Sequence, residues 1–444
     1  MAAEAIHTQM HQEASETPQQ QHVEDEVTIN IKKRIQYCGG GRVIEDRCIY
    51  RVPHTLRCVK KEAYTPNVIS IGPFHHGNER LQDMEKHKQI MFKRFIQRAK
   101  SSLDDLVRFV RHFEPKIRAS YSETIKLTEQ ELMEMTLMDA GFIIELFIML
   151  EDDDWEESND DKLSQPWLVS SILQDLILLE NQLPFFVIEE IFNKAFPHDR
   201  GLSSFFKTTC EGFKLIIRHN LKLTHDIEIK HFTDLLRLFH LQGRMPYRAP
   251  VSESHVLKYS ANDLQEVGIK LKKISTNSES PCFLNLKFSG HNLEIPQIIV
   301  DFRTEILFRN MIALEQCHYL HDAYITDYAF VLDALIDTYK DVDLLIHKDI
   351  VMSFLGDSNE VVRMFNGLPN NFTLTAFNSN YLDICKRLNY YCQDRRHKMM
   401  ATLRRDYCNT PWRTVASIAG IIFLVLTIVQ TIFSVFQFQL VLNK

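Results

Sequence analysis

The sequence predicts a mainly α protein: a large helical globular domain, α+β by virtue of one small β-hairpin, followed by a single C-terminal transmembrane helix. Three observations predict it. Apolar residues recur at steps of three and four along most of the chain. Gly and Pro number only 14 each in 444 residues, against plentiful helix-favouring Leu, Ile, Glu and Lys. Val415 to Phe436 contains no charged residue.

The totals narrow the function classes. A chain of 45% hydrophobic and 25% charged residues can bury a large core. Its net charge of -7 provides no global basic field, so no nucleic acid is expected as partner. The nine cysteines (Cys38, Cys48, Cys58, Cys210, Cys282, Cys317, Cys385, Cys392 and Cys408) are scattered and form no C-x-x-C pair. That spacing fits reduced thiols in a cytosolic domain better than a disulfide framework or a zinc ribbon. Residues 1–44 form a polar tail expected to be disordered, with no apolar signal-peptide core over Met1 to Asn30.

The elements follow in order. Ile44 to Asn67 is irregular or short-strand structure, interrupted by Pro53 and Pro66. Ile69 to Gly77 reads as a short strand and a turn. Phe92, Phe95, Ile96, Ala99, Leu103, Leu106, Val107 and Val110 predict one long amphipathic helix, closed by Pro115. A second helix spans Glu129 to Leu150. The acidic run Glu151 to Asp161 lacks the ligand offsets and central Gly of a calcium loop, so it is expected to be solvated.

A third helix starts near Pro166, carries Leu168, Ile172, Leu176 and Leu179, and meets Pro184. Helical segments continue through Phe192, Phe205 to His219 and His231 to Leu241. Gly243 to Ser254 and Ser275 to Pro281 read as loops. Between Cys282 and Asp301, alternation followed by Ser289-Gly290-His291-Asn292 predicts a β-hairpin. Helices resume at Thr304–Tyr319, Thr326–His347 and Glu360–Gly367. A last long helix, Ser379 to Tyr407, leads to the apolar segment. No internal repeat is present.

Residues 412–436 are assigned to the transmembrane helix and 437–444 to a short tail, leaving 45–411 as the helical domain. The apolar residues 415–436, at 1.5 Å each, span roughly 33 Å, enough for the bilayer core. Trp412 stands at the entry, where interfacial aromatics are favoured. Arg395, Arg396, Lys398, Arg404, Arg405 and Arg413 precede the segment, and only Lys444 follows it. The positive-inside rule then places the bulk in the cytosol, a tail-anchored arrangement. The lipid bilayer, met through 415–436, is the one partner the sequence names.

Ordered blocks along this chain resemble a known family. They are Ile49-Tyr50-Arg51-Val52-Pro53, then Ile69-Ser70-Ile71-Gly72-Pro73-Phe74-His75-His76-Gly77, with Met84-Glu85 and Lys88. Leu178-Leu179-Glu180-Asn181-Gln182-Leu183-Pro184-Phe185-Phe186 and Asp234-Leu235-Leu236-Arg237 follow, then Ala261, Leu264, Glu266, Gly268 and Lys270. Leu293-Glu294-Ile295-Pro296, Thr304-Glu305 with Asn310 and Glu315, Asp341-Val342-Asp343-Leu344-Leu345 and Phe365-Asn366-Gly367-Leu368 complete the set. The chain resembles the plant domain of unknown function 247 family, also called UPF0481 proteins, over roughly Cys48 to Phe436. The resemblance implies a plant-specific, helical, C-terminally anchored protein of unassigned biochemistry. It favours recognition or signalling over catalysis, with the plasma membrane as first destination and the endoplasmic reticulum as second.

Each candidate site has a structural alternative. His75 and His76, with His54 and His87, could begin a metal site, but neighbours on an extended segment point to opposite faces. A structural turn, with Gly77 in an unusual dihedral, is favoured. Glu180, Asn181 and Gln182 stand beside a very apolar run. They are expected to satisfy carbonyls freed where Pro184 bends or ends a helix. Asp301 and Glu305 lie four apart, and a salt-bridge network with Arg303 and Arg309 is favoured over acid–base chemistry. At Asp301-Phe302 the family often has a second acidic residue, which this chain lacks.

No G-x-S-x-G, P-loop, G-x-G-x-x-G or H-E-x-x-H is present. The expectation is a membrane-anchored interaction protein with no catalytic residue, cofactor or metal, against the alternative of an enzyme of unknown class, such as a hydrolase. A third reading is self-association through the apolar helix near Gly420 or Gln430. Asn371-Phe372-Thr373 is a glycosylation sequon that stays unmodified in the cytosol.

Overall fold

In a computed structural model, residues 47–151, 165–197, 204–214, 228–241, 245–250, 256–274, 284–371, 376–394 and 411–442 are described, with 27, 28, 31, 32 and 399. The contacts divide the chain into 1–46 and 47–444, and the fold below is that of the second part. The acidic run after Glu151, the residues directly after Lys214, the loop 275–281 and residues 400–410 lie outside the described residues.

The expected mainly α architecture is what the chain adopts. After a short turn of helix, α1 (His54–Arg57), come α2 (Gln82–Arg98) and α3 (Leu103–Ala119). The single amphipathic helix expected here is therefore two. Ser102 caps α3 by accepting the N–H of Asp105, and the Lys100 N–H donates to the Ala195 carbonyl at 2.8 Å, turning the chain between them. Pro115 does not close the helix. It lies inside α3, exposed to solvent, where the Arg111 carbonyl that it leaves unpaired can be hydrated.

Helix α4 (Glu129–Glu151) is buried on nearly every side, which its near-continuous apolar run demands. It packs against α2, α3, α6 (Phe185–Ala195) and α7 (Phe205–Phe213). Between α4 and α6 stands α5 (Pro166–Leu176). The expected third helix thus stops at Leu176, well before Pro184. Pro184 instead precedes the first residue of α6, where its missing N–H costs nothing.

A second group forms around α10 (Thr304–Cys317), which packs on α8 (Phe232–His240), on the turn Lys61–Tyr64 and on α11 (Tyr324–Leu335). Thr326–His347 is two helices, α11 and α12 (Tyr339–His347). A capping box at Thr338 and Asp341 restarts the chain after Ile336. α9 (Ala261–Glu266) and α13 (Ser358–Gly367) lean on α12. α14 (Ser379–Gln393) ends at Gln393, where Asp394 is extended, so the expected continuous helix to Tyr407 is interrupted.

The strands are short. The hairpin is present as β3 (Lys287–Ser289) and β4 (Asn292–Ile295), joined through Gly290 and His291. β2 (Lys270–Lys273) adds in parallel to β4. Ile298–Val300, expected to continue the hairpin, is a separate strand, β5, parallel to β6 (Val351–Ser353). Part of the expected loop after Gly243 is β1 (Arg248–Pro250), antiparallel to β7 (Ala376–Asn378).

Ile69–Gly77 forms no strand. Backbone donors of residues 67–72 go to buried side chains instead: Asp175 accepts from Asn67, Val68 and Ile69, Asn181 from Ile71, and Asp139 from Gly72. Beyond these elements α15 (Pro411–Leu442) runs uninterrupted. Thr427 and Thr431 donate back to the carbonyls of Phe423 and Thr427, hiding their hydroxyls along the helix.

Candidate functional site

The segment from Leu176 to Phe186 organises the polar interior. Ending α5 at Leu176 leaves carbonyls without intrahelical donors. Gln182 Nε2 donates to Leu176 O at 2.6 Å and to Leu178 O at 2.7 Å. Asn181 Nδ2 donates to Asp175 O and Ile69 O, both at 3.0 Å. The acceptor sides are used as well: Gln182 Oε1 takes the Phe232 N–H at 3.0 Å, and Asn181 Oδ1 takes that of Ile71 at 2.7 Å. The carbonyl-satisfying role expected of these amides is what they perform, at the end of α5 instead of at Pro184. Phe185 follows into an aromatic cluster with Phe205 and Phe232, and Phe186 carries Lys116 Nζ 4.2 Å above its ring.

Glu180 stands at the centre of the first three sequence blocks. Its side chain is fully buried and accepts the Val52 N–H at 2.7 Å. Arg57 pairs with it, Arg51 Nη1 lies 3.4 Å away, and His75 Nε2 is also 3.4 Å away. Pro53 starts α1 and so aims Arg57 inward. Burial opposes the Glu180 charge, but His75, Arg57 and the Val52 N–H outweigh it and hold the carboxyl below its ordinary value. At the surface Arg51 spans Glu123 at 3.1 Å and the Phe74 carbonyl at 3.2 Å, with its guanidinium 4.6 Å from the Phe74 ring centroid. His76 and Gly77 are exposed, Gly77 at φ 76° in the expected turn, and Pro73 is half-buried. The two histidines do part company, by a turn and not by strand alternation.

The other candidate residues are distributed. Glu85 pairs with Lys88 at 2.9 Å, and buried Lys88 pairs with Asp139 at 2.6 Å. Burial works against the Lys88 charge, yet Asp139 and Glu85 keep its pKa above the ordinary value. Asp301 pairs with Arg303, and Glu305 with Arg309 and Lys60, the expected salt-bridge network. Asn310 accepts the Leu179 N–H and donates to Ala63 O. Glu315 accepts from Arg237, Ile325 and Thr326. Asp341 caps α12 and accepts both Asn262 N and Asn262 Nδ2 at 2.8 Å, fixing α9, while Val342 is fully buried.

Sequence reasoning missed Asp175, Asp139 and the Arg248–Asp327 pair, at 2.7 Å, that ties β1 to α11. Each partner lies dozens of residues away, so no local spacing marks it. It also missed His231, whose Nε2 meets the Cys48 carbonyl at 3.0 Å and whose pKa burial pushes down to about 3.

Chemically, Glu180 is ionised and encircled by donors. Burial pushes the Cys48, Cys210, Cys317 and Cys385 thiols up to about 12, so none offers a thiolate at neutral pH. Among the described residues no three His, Cys, Asp or Glu groups converge to hold a metal ion. A cavity of about 10 Å³ under Leu257, Leu286, Val331, Cys385 and Leu388 is apolar and no larger than one water.

These features define a class: an α-rich protein whose motif residues knit distant segments together, carrying, among the described residues, one helix long and apolar enough to cross a membrane. More particularly, the family described as plant protein of unknown function, domain of unknown function 247, matches residues 49–426, and the chain belongs to it. A UPF0481 protein of Arabidopsis thaliana is 30% identical over 424 residues, covering 89% of this chain and 87% of its own length. A second UPF0481 protein of Arabidopsis thaliana is 23% identical over 524 residues, covering 95% and 97%. No solved structure matches the chain.

Proposed function

We propose that the chain is a membrane-anchored interaction protein: its folded body presents a surface to protein partners, and α15 confines that body to a bilayer. The observation that carries the reading is Val415–Val435, an apolar stretch of 21 residues none of which is buried against the rest of the chain. So much apolar surface is stable in water only if something covers it, and at 1.5 Å per residue its length matches the roughly 30 Å of a hydrocarbon core.

The site supports recognition over catalysis. Glu180, Asn181, Gln182, Asn310 and Glu315 are occupied by the hydrogen bonds that hold α1, α5, α8 and α10 in register. In this reading the basic residues between Arg395 and Arg413 keep the body on the cytosolic side, and the plasma membrane is the destination we propose from the family resemblance. Anchoring restricts the body to two dimensions and raises its effective concentration toward partners on the same membrane.

The test has two arms on the native protein. Microsomes washed in alkaline carbonate are expected to retain the chain, and proximity labelling from its N-terminus is expected to mark cytosolic partners. Release by the wash removes the anchor reading. Labelling confined to lumenal proteins removes the orientation.

A further inference from the structure

The three-stranded sheet has two unlike faces. Leu271, Leu293 and Phe288 share a register row and are buried. The opposite face alternates with them: Lys270 and Lys272 on β2, Asn292 and Glu294 on β4, Lys287 and Ser289 on β3. Lys270, Lys272 and Lys287 are exposed, as is Lys273 at the strand end, and none of the four is in an ion pair among the described residues. Glu294 is the one carboxylate in these rows, and it is half-buried. Lys272 and Lys287 both stand directly opposite Glu294 in the register, so a single half-buried carboxylate serves two of the three lysines on this face and the face stays net positive.

The location of this face is informative. The C-terminal half of α14 lies on the hairpin: Arg387 Nη2 donates to the Phe288 carbonyl at 2.9 Å, and the Tyr391 and His291 rings are 5.3 Å apart. Lys386 and Tyr390 are exposed on the same helix, Tyr390 at 79%. α14 is also where the folded body ends. From Asp394 to Pro411 there are only residues 395–410, which at full extension reach at most roughly 55 Å. The lysine face thus sits at the end of the body tied most closely to the apolar helix.

We propose that the outer face of β2–β4–β3, with the end of α14, rests on anionic lipid headgroups. This rests on the reading that α15 lies in a bilayer. Lysine suits such a contact, because its compact ammonium neutralises a phosphate or carboxylate of a headgroup without demanding fixed geometry. An exposed tyrosine such as Tyr390 belongs at the same depth, with its ring toward lipid and its hydroxyl in water. The contact gives the body a fixed orientation on the bilayer, so that its opposite side faces the cytosol.

The experiment uses the full chain reconstituted into lipid nanodiscs, either wholly phosphatidylcholine or with about 30% phosphatidylserine. Amine acetylation read by mass spectrometry reports lysine shielding. Lys270, Lys272, Lys287 and Lys386 are expected to react about threefold more slowly in the serine-containing discs, with the difference lost in about 0.5 M salt. Lys61, exposed on the turn that packs against α10, serves as the reference. The triple variant Lys270→Gln, Lys272→Gln, Lys287→Gln is expected to enter discs normally and to lose the shielding of Lys386. Equal reactivity in both discs, or a slowing shared by Lys61, overturns the proposal while leaving the anchor intact. Failure of the chain to enter discs at all overturns the anchor reading. If added RNA shields the same lysines where serine lipid does not, the face belongs to nucleic acid and the lipid assignment falls.

Discussion

Gly72 sits at φ 72°, and a β-carbon placed on it would lie 2.3 Å from the Gln182 carbonyl oxygen. That oxygen already accepts the Tyr121 hydroxyl at 2.9 Å. Gly72→Ala is therefore expected to lose about 1–3 kcal/mol from the dihedral alone, with more from displacing the 176–184 turn. Thermal unfolding measures it, and an unchanged melting temperature would show that the turn yields freely. Asp175 carries a pH prediction. Burial raises its pKa from 3.8 to about 6 against the pull of three backbone N–H donors, and no cation pairs with it among the described residues. A carboxyl raised on folding binds its proton more tightly in the native state, so between about pH 4 and pH 6 stability falls as pH rises. Asp175→Asn cannot ionise, so the wild-type advantage over it should shrink by up to about 3 kcal/mol across that window. Urea denaturation at pH 4 and pH 7 decides the matter, and parallel curves would refute the assignment. Residues of this kind divide by legibility. The amide roles of Asn181 and Gln182 were readable because a helix end and its satisfying side chains lie within one short segment. Asp175 and Asp139 were not, because their partners lie 106 and 67 residues away at Ile69 and Gly72.

Helices were legible where their apolar pattern was strong and poorly bounded where two of them share a phase. α4 and α10 begin as periodicity places them, because each buries most of its circumference. The division between α2 and α3 escaped because the apolar steps continue across it, while the break is made by the Ser102 cap and a hydrogen bond to the far-off Ala195. β1, β6 and β7 are three residues each, too short to alternate visibly, and their partners come from distant segments. The sharpest prediction at this scale concerns helix approach. At Gly141 on α4 an added β-carbon would come within 2.5 Å of the Phe92 ring and 2.9 Å of the Phe95 ring on α2. Gly141→Ala gains about 1 kcal/mol of helix propensity. It forces apart two helices that pack along their lengths, at a cost of about 1–3 kcal/mol that outweighs the gain once Phe92 and Phe95 must both move. A net loss on chemical denaturation is expected, and a stabilised variant would mean that α2 slides without penalty.

At the scale of the whole molecule, α15 is, among the described residues, the one helix whose sequence and surroundings disagree in water. Val415–Val435 is apolar, yet Phe423 is 73% and Leu424 62% exposed, and none of the span is buried. Every other long apolar helix described, α4 foremost, satisfies its composition by packing inside the body, so α15 must find its apolar surroundings elsewhere. Val425→Arg, near the middle of the span, separates the candidates. Val425 is 52% exposed and meets no core, so arginine there leaves the melting of the folded body unchanged. In a bilayer the same arginine stands near the centre of the hydrocarbon, at a cost of about 2.5–3.5 kcal/mol on the insertion scale. The expected outcome is a body that unfolds as before, together with weakened retention of the chain by carbonate-washed membranes. Undiminished retention of Val425→Arg would mean that α15 is covered by protein rather than lipid. The sequon reports on the same question independently. Asn371 is exposed, and its side-chain amide donates to the Thr55 carbonyl at 3.0 Å. A cytosolic body leaves that amide unglycosylated, so treatment with an endoglycosidase should not change the mobility of the native chain. A shift would place the body in the lumen and reverse the proposed orientation.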